Sequence, residues 1–419
     1  MPKNKRPIPR KSSETAQDKD DLVAQSLADL ALDLAEQEDS ETSDAMSAQL
    51  RQKEIDFHKL IKKTLHQKKD EVLYDAIERA KYADVGAYQH LRSSVEEASA
   101  VALIRHLDAP EMEINAFAIP LFVHSIGGVK AQEDFQDQDA FDLLVKSFQQ
   151  GELESLEARV VLISHAYDVN EIDRITYSHL SEMVRDAWAS MTDKKIGAMP
   201  ALERSIAGWS ATSFGPADAA VELRFLLGFA LKRADDPFYR APLDEAKADA
   251  WFAARMQRYQ LWTQQVAPLV QRCLAFDASA ITLNFLYQDL FHGAKEQGLA
   301  EYFMLQMMSE INHALRENGI AGQQVHAIVG PADVNGDMVL RVNLHALEGE
   351  VPGEVPSKEQ SKLLASAEKP LDLAADLQLE VDDICDALAT LGIDSVSVAL
   401  RLDAEGSAID VRPYKHQAS

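Results

Sequence analysis

Cysteine is scarce in this chain, which carries only Cys273 and Cys385 among 419 residues. Two cysteines cannot build a disulfide framework, and neither lies in a C-x-x-C pair or beside histidines at the spacing of a zinc site. The sequence thus excludes a disulfide-rich secreted domain and a thiolate metal centre. We predict two buried, reduced thiols and a cytoplasmic location, because reducing compartments keep thiols free.

Long apolar runs are also missing. The longest stretches, such as residues 116–123, are far shorter than the ~20 residues that cross a bilayer. Residues 1–19 begin with a basic, proline-containing stretch in place of the apolar core of a secretory signal, and we interpret them as a disordered basic tail. We therefore expect neither a membrane span nor export by the general secretory route.

Positive charge is in short supply, since 42 lysines and arginines face 68 aspartates and glutamates and the formal net charge is -26. Such a body repels phosphates and anionic headgroups, so bulk nucleic-acid binding is not expected. The acidity either keeps the chain soluble or attracts a basic partner. A cluster of lysines near the end of a predicted helix is a local exception to this acidity: Lys62, Lys63, Lys68 and Lys69. We interpret the cluster either as lysines that the helix dipole favours at a helix C-terminus or as a phosphate-binding patch.

Familiar catalytic and nucleotide-binding motifs do not occur. The chain has no G-x-G-x-x-G, no P-loop, no G-x-S-x-G and no H-E-x-x-H. Each of these patterns places the backbone or side chains that a given chemistry requires. The sequence therefore predicts no cofactor.

The composition that remains is that of a globular protein, with 46% hydrophobic and 26% charged residues. The length predicts two or three domains. Residues 20–108 carry apolar side chains at helical spacing, and the last helix of this helical region is predicted over 87–107. Residues 109–275 form a predicted α/β unit with a helical connection.

Three segments of the unit 109–275 are predicted strands, at 113–125, 157–164 and 219–231. The first contains Pro120, which cannot donate a ladder hydrogen bond, so we predict an edge strand or two short strands there.

Residues 276–419 give the clearest pattern. Alternation over 281–285, a helix over 298–316, a hairpin through Asn335 and Gly336, a second helix and two further alternating segments follow one another. The order is β-α-β-β-α-β-β. We predict a ferredoxin-like antiparallel sheet covered by helices with one additional strand, and an α+β class for the whole chain.

Two groups of residues are candidates for chemistry. His165 and Asp168 follow a predicted buried strand, where catalytic groups sit in α/β folds, and His179 lies on the next helix. Their other interpretation is a helix-capping aspartate and a satisfied core histidine. Glu310 and His313 form an E-x-x-H pair as in di-iron proteins, but no second helix offers one, so they are interpreted as surface residues and no metal site is predicted.

Three segments carry a resemblance to a known family. The stretches APLVQRC (267–273), NFLYQDLFHGAKEQGLAEYFMLQMM (284–308) and VHAIVGPADVNGDMVLRVNLHALEG (325–349) resemble the later half of a family of proteobacterial proteins of similar length and unknown function. The ending, residues 396–419, departs from that family. The resemblance implies a bacterial cytoplasmic protein and supplies no functional residue.

Two functional hypotheses follow. The first is a non-catalytic binding or scaffold protein that holds a protein partner through its N-terminal helices or a sheet face. The alternative is an enzyme or small-molecule sensor with a site between the two α/β units around His165, Asp168 and His179.

Overall fold

A computed structural model describes most of the chain. The described residues are 16–38, 44–105, 110–125, 135, 137–192, 221–275, 277–347, 363–372, 375–403 and 407–414. They divide into two compact units, Met1–Lys295 and Glu296–Ser419. Helices and largely antiparallel sheets follow an N-terminal helical region, which confirms the α+β class.

The first unit holds eight of the helices and six of the strands that are described. The helices are α1 (Ala16–Glu38), α2 (Asp44–His66), α3 (Asp70–Ala83), α4 (Val85–Ala100), α5 (Gln138–Gln150), α6 (Val169–Asp173), α7 (Tyr177–Thr192) and α8 (Glu245–Leu274). The strands are β1 (Val101–Ile104), β2 (Met112–Ser125), β3 (Arg159–Tyr167), β4 (Val221–Arg233), β5 (Ile281–Phe285) and β6 (Asp289–Leu290).

Helix α9 (Phe291–Asn318) begins in the first unit and continues in the second. The second unit then adds β7 (Val325–Val334), β8 (Asp337–Ala346), β9 (Leu363–Pro370), α10 (Leu377–Thr390), β10 (Val396–Leu402) and β11 (Ala408–Pro413). The division falls after Lys295, so residues 276–295, which the sequence grouped with the last domain, belong to the first unit.

Some of the chain's many aspartates cap the N-termini of helices. Aspartate side chains accept a backbone N–H from the first turn of α4, α5, α6, α8 and α10, and so satisfy donors that the helix leaves unpaired. These residues are Asp84, Asp137, Asp168, Asp244 and Asp376.

The helical region packs α1 to α4 around one core, in which Leu27, Phe57, Leu73 and Leu91 are fully buried. Helix α1 begins at Ala16, so the last residues assigned to the tail are helical, and the first fifteen lie outside the described residues.

The prediction that the last helix runs to residue 107 was wrong. Helix α4 ends at Ala100, and Val101–Ile104 form β1, which pairs antiparallel with β2. A run of four apolar residues fits a helix or a strand equally well. Here the four residues form a strand because they pair with the edge of β2.

The first sheet has the order β1-β2-β4-β3, and β5 and β6 pair with β2 on the same edge as β1. Apolar residues on one face of β2 pack under α5 and α8, and α7 packs on the opposite face. The predicted strands at 157–164 and 219–231 are confirmed as β3 and β4.

The prediction of an edge strand or two short strands at Pro120 was also wrong, because β2 is one central strand of 14 residues. The carbonyl of Pro120 accepts the N–H of Leu286 at 2.9 Å, which places the missing N–H on the same edge, between β5 and β6. The carbonyl of Leu286, which an N–H at position 120 would have reached, accepts the Tyr259 hydroxyl instead. A central proline is tolerated here because a side chain replaces its donor.

The second unit contains a sheet of order β11-β10-β7-β8-β9, in which β10 runs parallel to β7 and the other pairs are antiparallel. Met307 and Ile311 of α9 and Ile384 and Leu388 of α10 pack into one core with β7 and β8. The strand order differs from the ferredoxin-like prediction at two points. Strand β5 pairs with β2 in the first unit, and β9 precedes α10 as an additional edge strand.

Candidate functional site

His165 and Asp168 come together at the end of β3. His165 lies where the β3–β4 register shifts between Leu162 and Ala166, and it is 6% exposed. Its Nε2 lies 2.9 Å from Oε2 of Glu171. The same oxygen accepts the N–H of Asp168 at 2.9 Å, and Oδ1 of Asp168 accepts the N–H of Glu171 at 2.8 Å. The two carboxylates therefore form the capping box of α6.

Arg224 of β4 adds a positive charge to this group. It is 3% exposed, its Nη2 bonds Oε2 of Glu222 at 2.7 Å, and its Nη1 lies 4.0 Å from Oδ2 of Asp168. Burial acts to raise the pKa of Glu171, but the hydrogen bond from His165, the Asp168 N–H and the charge of Arg224 together hold that pKa below its usual range. The arrangement fastens the turn after β3 to β4.

His179 belongs to a different helix. It lies on the first turn of α7, and its N–H donates to Oγ1 of Thr176 at 3.3 Å. Asp70 fixes the same turn by accepting the N–H of Ser178 at 2.8 Å. The structure thus joins two of the three predicted residues through Glu171, a residue that sequence reasoning missed although the D-x-x-E spacing of a capping box was present.

Glu310 and His313 lie on exposed turns of α9. His313 pairs with Glu317 at 3.1 Å, and its side chain is 72% exposed. Within the described ranges, no group of three or more histidine, cysteine, aspartate or glutamate side chains is placed to hold a metal ion.

A groove in the first unit has a different character. It has a cavity volume of about 980 Å³ and lies between α2, the end of α4, β1 and α7. Ile55 of α2 and Leu103 of β1 line it and remain 47% and 54% exposed. Exposed aliphatic side chains in a concave surface are typical of a binding site.

One wall of the groove is the free edge of β1, which among the described residues pairs with β2 alone. The carbonyl of Pro120 points toward the edge of β2 that β1 also occupies. Because β2 pairs with β4 without a register shift, every second residue of β2 directs its backbone groups to the same edge. The N–H and C=O groups of Met112 and Ile114 therefore also point toward this edge. Their partners on β1 are Ile104 and Ala102. By alternation, the N–H and C=O of Leu103 point away from β2, toward the edge of β1 that has no strand partner among the described residues.

The rim of the groove is basic in an otherwise acidic chain. Lys59, Lys62, Arg105 and Arg185 line it against Glu54 and Glu97, together with His58 and His66. Arg105 pairs with Glu111 and Arg185 contacts Glu182 at 3.8 Å. Lys62 is exposed and has no ion-pair or hydrogen-bond partner in the part of the chain that the structure describes.

The lysine cluster of the sequence is divided by the fold. Lys68 pairs with Glu182 at 2.6 Å and Lys69 pairs with Asp20, so both serve helix packing. Lys62 is the member that faces the groove. The four lysines therefore do not form a single phosphate-binding patch.

Comparisons with protein-family models, with curated proteins and with solved structures found no match to this chain. The resemblance to the proteobacterial family therefore stays a prediction. Among the helices that the structure describes, none combines the length and the apolar character needed to cross a membrane.

Proposed function

We propose that this chain is a non-catalytic binding protein that holds an extended acidic segment of a partner protein in the groove of its N-terminal helices. The observation that carries the proposal is the outer edge of β1, which has no strand partner among the described residues and lies in a concave surface that Leu103 lines. An extended segment that pairs with such an edge gains main-chain hydrogen bonds, and its alternate side chains enter the groove.

The charge of the rim supports an acidic partner. Lys62 offers an ammonium group that no described residue pairs with, and Lys59 and Arg185 lie in the same groove. The chain as a whole carries a net charge of -26, so a local excess of basic residues distinguishes this surface from the rest of the body. Opposite charge across an interface raises the association rate and selects the partner.

The proposal includes a cytoplasmic location. Cys273 and Cys385 are free and buried, and free thiols are typical of proteins in reducing compartments such as the cytoplasm.

A peptide-display selection on the immobilised full chain tests the proposal. We expect enriched peptides to be extended, acidic and to carry apolar residues in alternation. Lys62→Glu reverses the charge at the groove and should weaken binding of the enriched peptides about tenfold, because a charge-assisted contact becomes a repulsion. Lys146→Glu, an equal charge change on an exposed site of α5 outside the groove, should leave binding unchanged. Enrichment of basic or uncharged peptides, or equal losses in both variants, would contradict the proposal.

A further inference from the structure

A second cavity of the first unit has the features of a small-molecule site. Its volume is about 480 Å³, within the range of about 300–1,000 Å³ found for ligand pockets. Its walls come from the beginning of β2, the end of β4, the first turns of α8 and the connection between β5 and β6. Aromatic side chains of Tyr239, Trp251 and Tyr287 line it.

The floor of this cleft offers an acceptor that the protein does not use. Asn115 lies on β2, and its Oδ1 is buried with no hydrogen-bond partner among the described residues. Its cross-strand neighbours are Val101 and Ala230, whose side chains carry no hydrogen-bond donor. A buried acceptor without a donor costs free energy unless a ligand or water supplies one.

Arg255 of α8 supplies the opposite kind of group. Its Nε donates to the hydroxyl of Tyr287 at 3.2 Å, and its guanidinium carbon lies 5.6 Å from the ring centroid of Trp251. Two contacts thus fix the orientation of the guanidinium group. The two terminal nitrogens of Arg255 have no hydrogen-bond or ion-pair partner among the described residues and can bind a carboxylate end-on.

The remaining charges of the cleft are largely paired with one another. Lys232 Nζ lies 3.2 Å from Oε1 of Glu113 and 4.2 Å from the centroid of the Tyr239 ring. The hydroxyl of Tyr239 donates to Oε2 of Glu154 at 2.5 Å. Glu97 lines the cleft as well, and its carboxylate has no partner among the described residues.

We propose that this cleft binds a small zwitterion that carries one ammonium and one carboxylate group, such as a free α-amino acid. The fork of Arg255 holds the carboxylate. Asn115 Oδ1 and Glu97 accept the ammonium N–H groups, and the aromatic walls contact the carbon skeleton. The ligand is recognised by both of its charges at once. Glu97 lines both this cleft and the groove of the proposed function, whereas Asn115 and Arg255 line the cleft and not the groove, so variants of these two residues test the cleft separately.

The test is calorimetric titration of the full chain with a panel of free amino acids, and then with two derivatives of the tightest binder. The N-acetyl derivative removes the ammonium charge and the amide removes the carboxylate charge, while each keeps the side chain. We expect each derivative to bind at least about tenfold more weakly, the usual effect of losing one charge-assisted contact.

Variants assign the two charges to their residues. In Arg255→Gln, the free acid should lose its advantage over the amide, whereas Arg240→Gln, an exposed arginine that does not line the cleft, should keep it. In Asn115→Leu, affinity for the free amino acid should fall while circular dichroism stays unchanged. Equal binding of acid, amide and N-acetyl forms would overturn the proposal, as would the absence of a binding signal from every amino acid at millimolar concentration.

Discussion

Gly228 is the residue at which we expect a single methyl group to destabilise the first unit most clearly. It lies in the middle of β4, opposite Phe117 of β2 and Leu162 of β3. A Cβ at this position would stand 2.4 Å from Cζ of Phe117 and 2.6 Å from Cδ2 of Leu162. Both neighbours are 2% exposed, so neither can swing into solvent.

The magnitude follows from two opposing effects. Overpacking of a filled core costs about 1–3 kcal/mol, and a clash on both sides places Gly228→Ala at the upper end. The unfolded chain of the alanine variant loses less backbone entropy on folding, which returns about 0.5–1 kcal/mol. We therefore expect the free energy of unfolding to fall by about 2 kcal/mol, close to a thirtyfold change in the unfolding equilibrium constant.

Urea unfolding followed by tryptophan fluorescence measures this effect. All four tryptophans precede residue 295, so the signal reports the first unit alone. Phe117→Leu is the matched second variant, because it removes the ring that the new methyl group meets. We expect the double variant to be more stable than the sum of the two single losses by about 1 kcal/mol or more. A Gly228→Ala protein as stable as the wild type, or an additive double variant, would refute the account of this contact.

Two further predictions concern a titrating group and a turn. Burial, with the charges of Lys295 and Arg92, lowers the pKa of His292 to about 3. Because the unfolded chain binds this proton near pH 6.5 and the folded chain does not, stability is complete above pH 6.5 and is lost as the pH falls. Between pH 7 and 5 the loss is about 2 kcal/mol, and a His292→Gln protein should lose that much less over the same interval in urea unfolding. In the β7–β8 hairpin, where Gly336 has φ +96, we expect Gly336→Ala to lower the free energy of opening by about 1 kcal/mol in amide hydrogen exchange; an unchanged value would contradict it.

Local patterns predicted several elements correctly. Two strands joined by a hairpin were predicted where β7 and β8 lie, and the residues Asn335 and Gly336 between them adopt the positive φ angles of 56 and 96° that a two-residue hairpin requires. The helical spacing of apolar side chains identified the helical region that α1 to α4 form. The sequence pattern that predicts each of these elements lies within the element itself.

Elements that depend on a partner elsewhere were missed. Strand β9 is rich in small and charged residues and ends at Pro370, so it shows no alternation, and its pairing with β8 creates it. Strand β5 was recognised as a strand but assigned to the wrong sheet, because periodicity says nothing about which edge a strand will join. The prediction of an edge strand at Pro120 failed for a related reason. The hydroxyl that replaces the missing N–H donor belongs to Tyr259, which lies far from Pro120 in the sequence.

The candidate sites show the same division. The sequence singled out Lys62 through its charge and Asp168 as a helix cap, and the structure places them in the groove and at the start of α6. The groove itself joins α2, β1 and α7, which lie far apart along the chain. No pattern in one segment records that the outer edge of β1 has no strand partner among the described residues.

The amide hydrogen of Leu103 tests the proposed function most directly. With the tightest display-selected peptide bound at saturation, we predict slower hydrogen exchange at this amide. We also predict that Leu103→Pro binds the peptide about fivefold more weakly than Leu103→Ala, because both lose the side chain and only proline loses the outward N–H, worth about 1 kcal/mol. An unchanged exchange rate in the peptide complex, or equal affinities of the two variants, would contradict strand addition at β1.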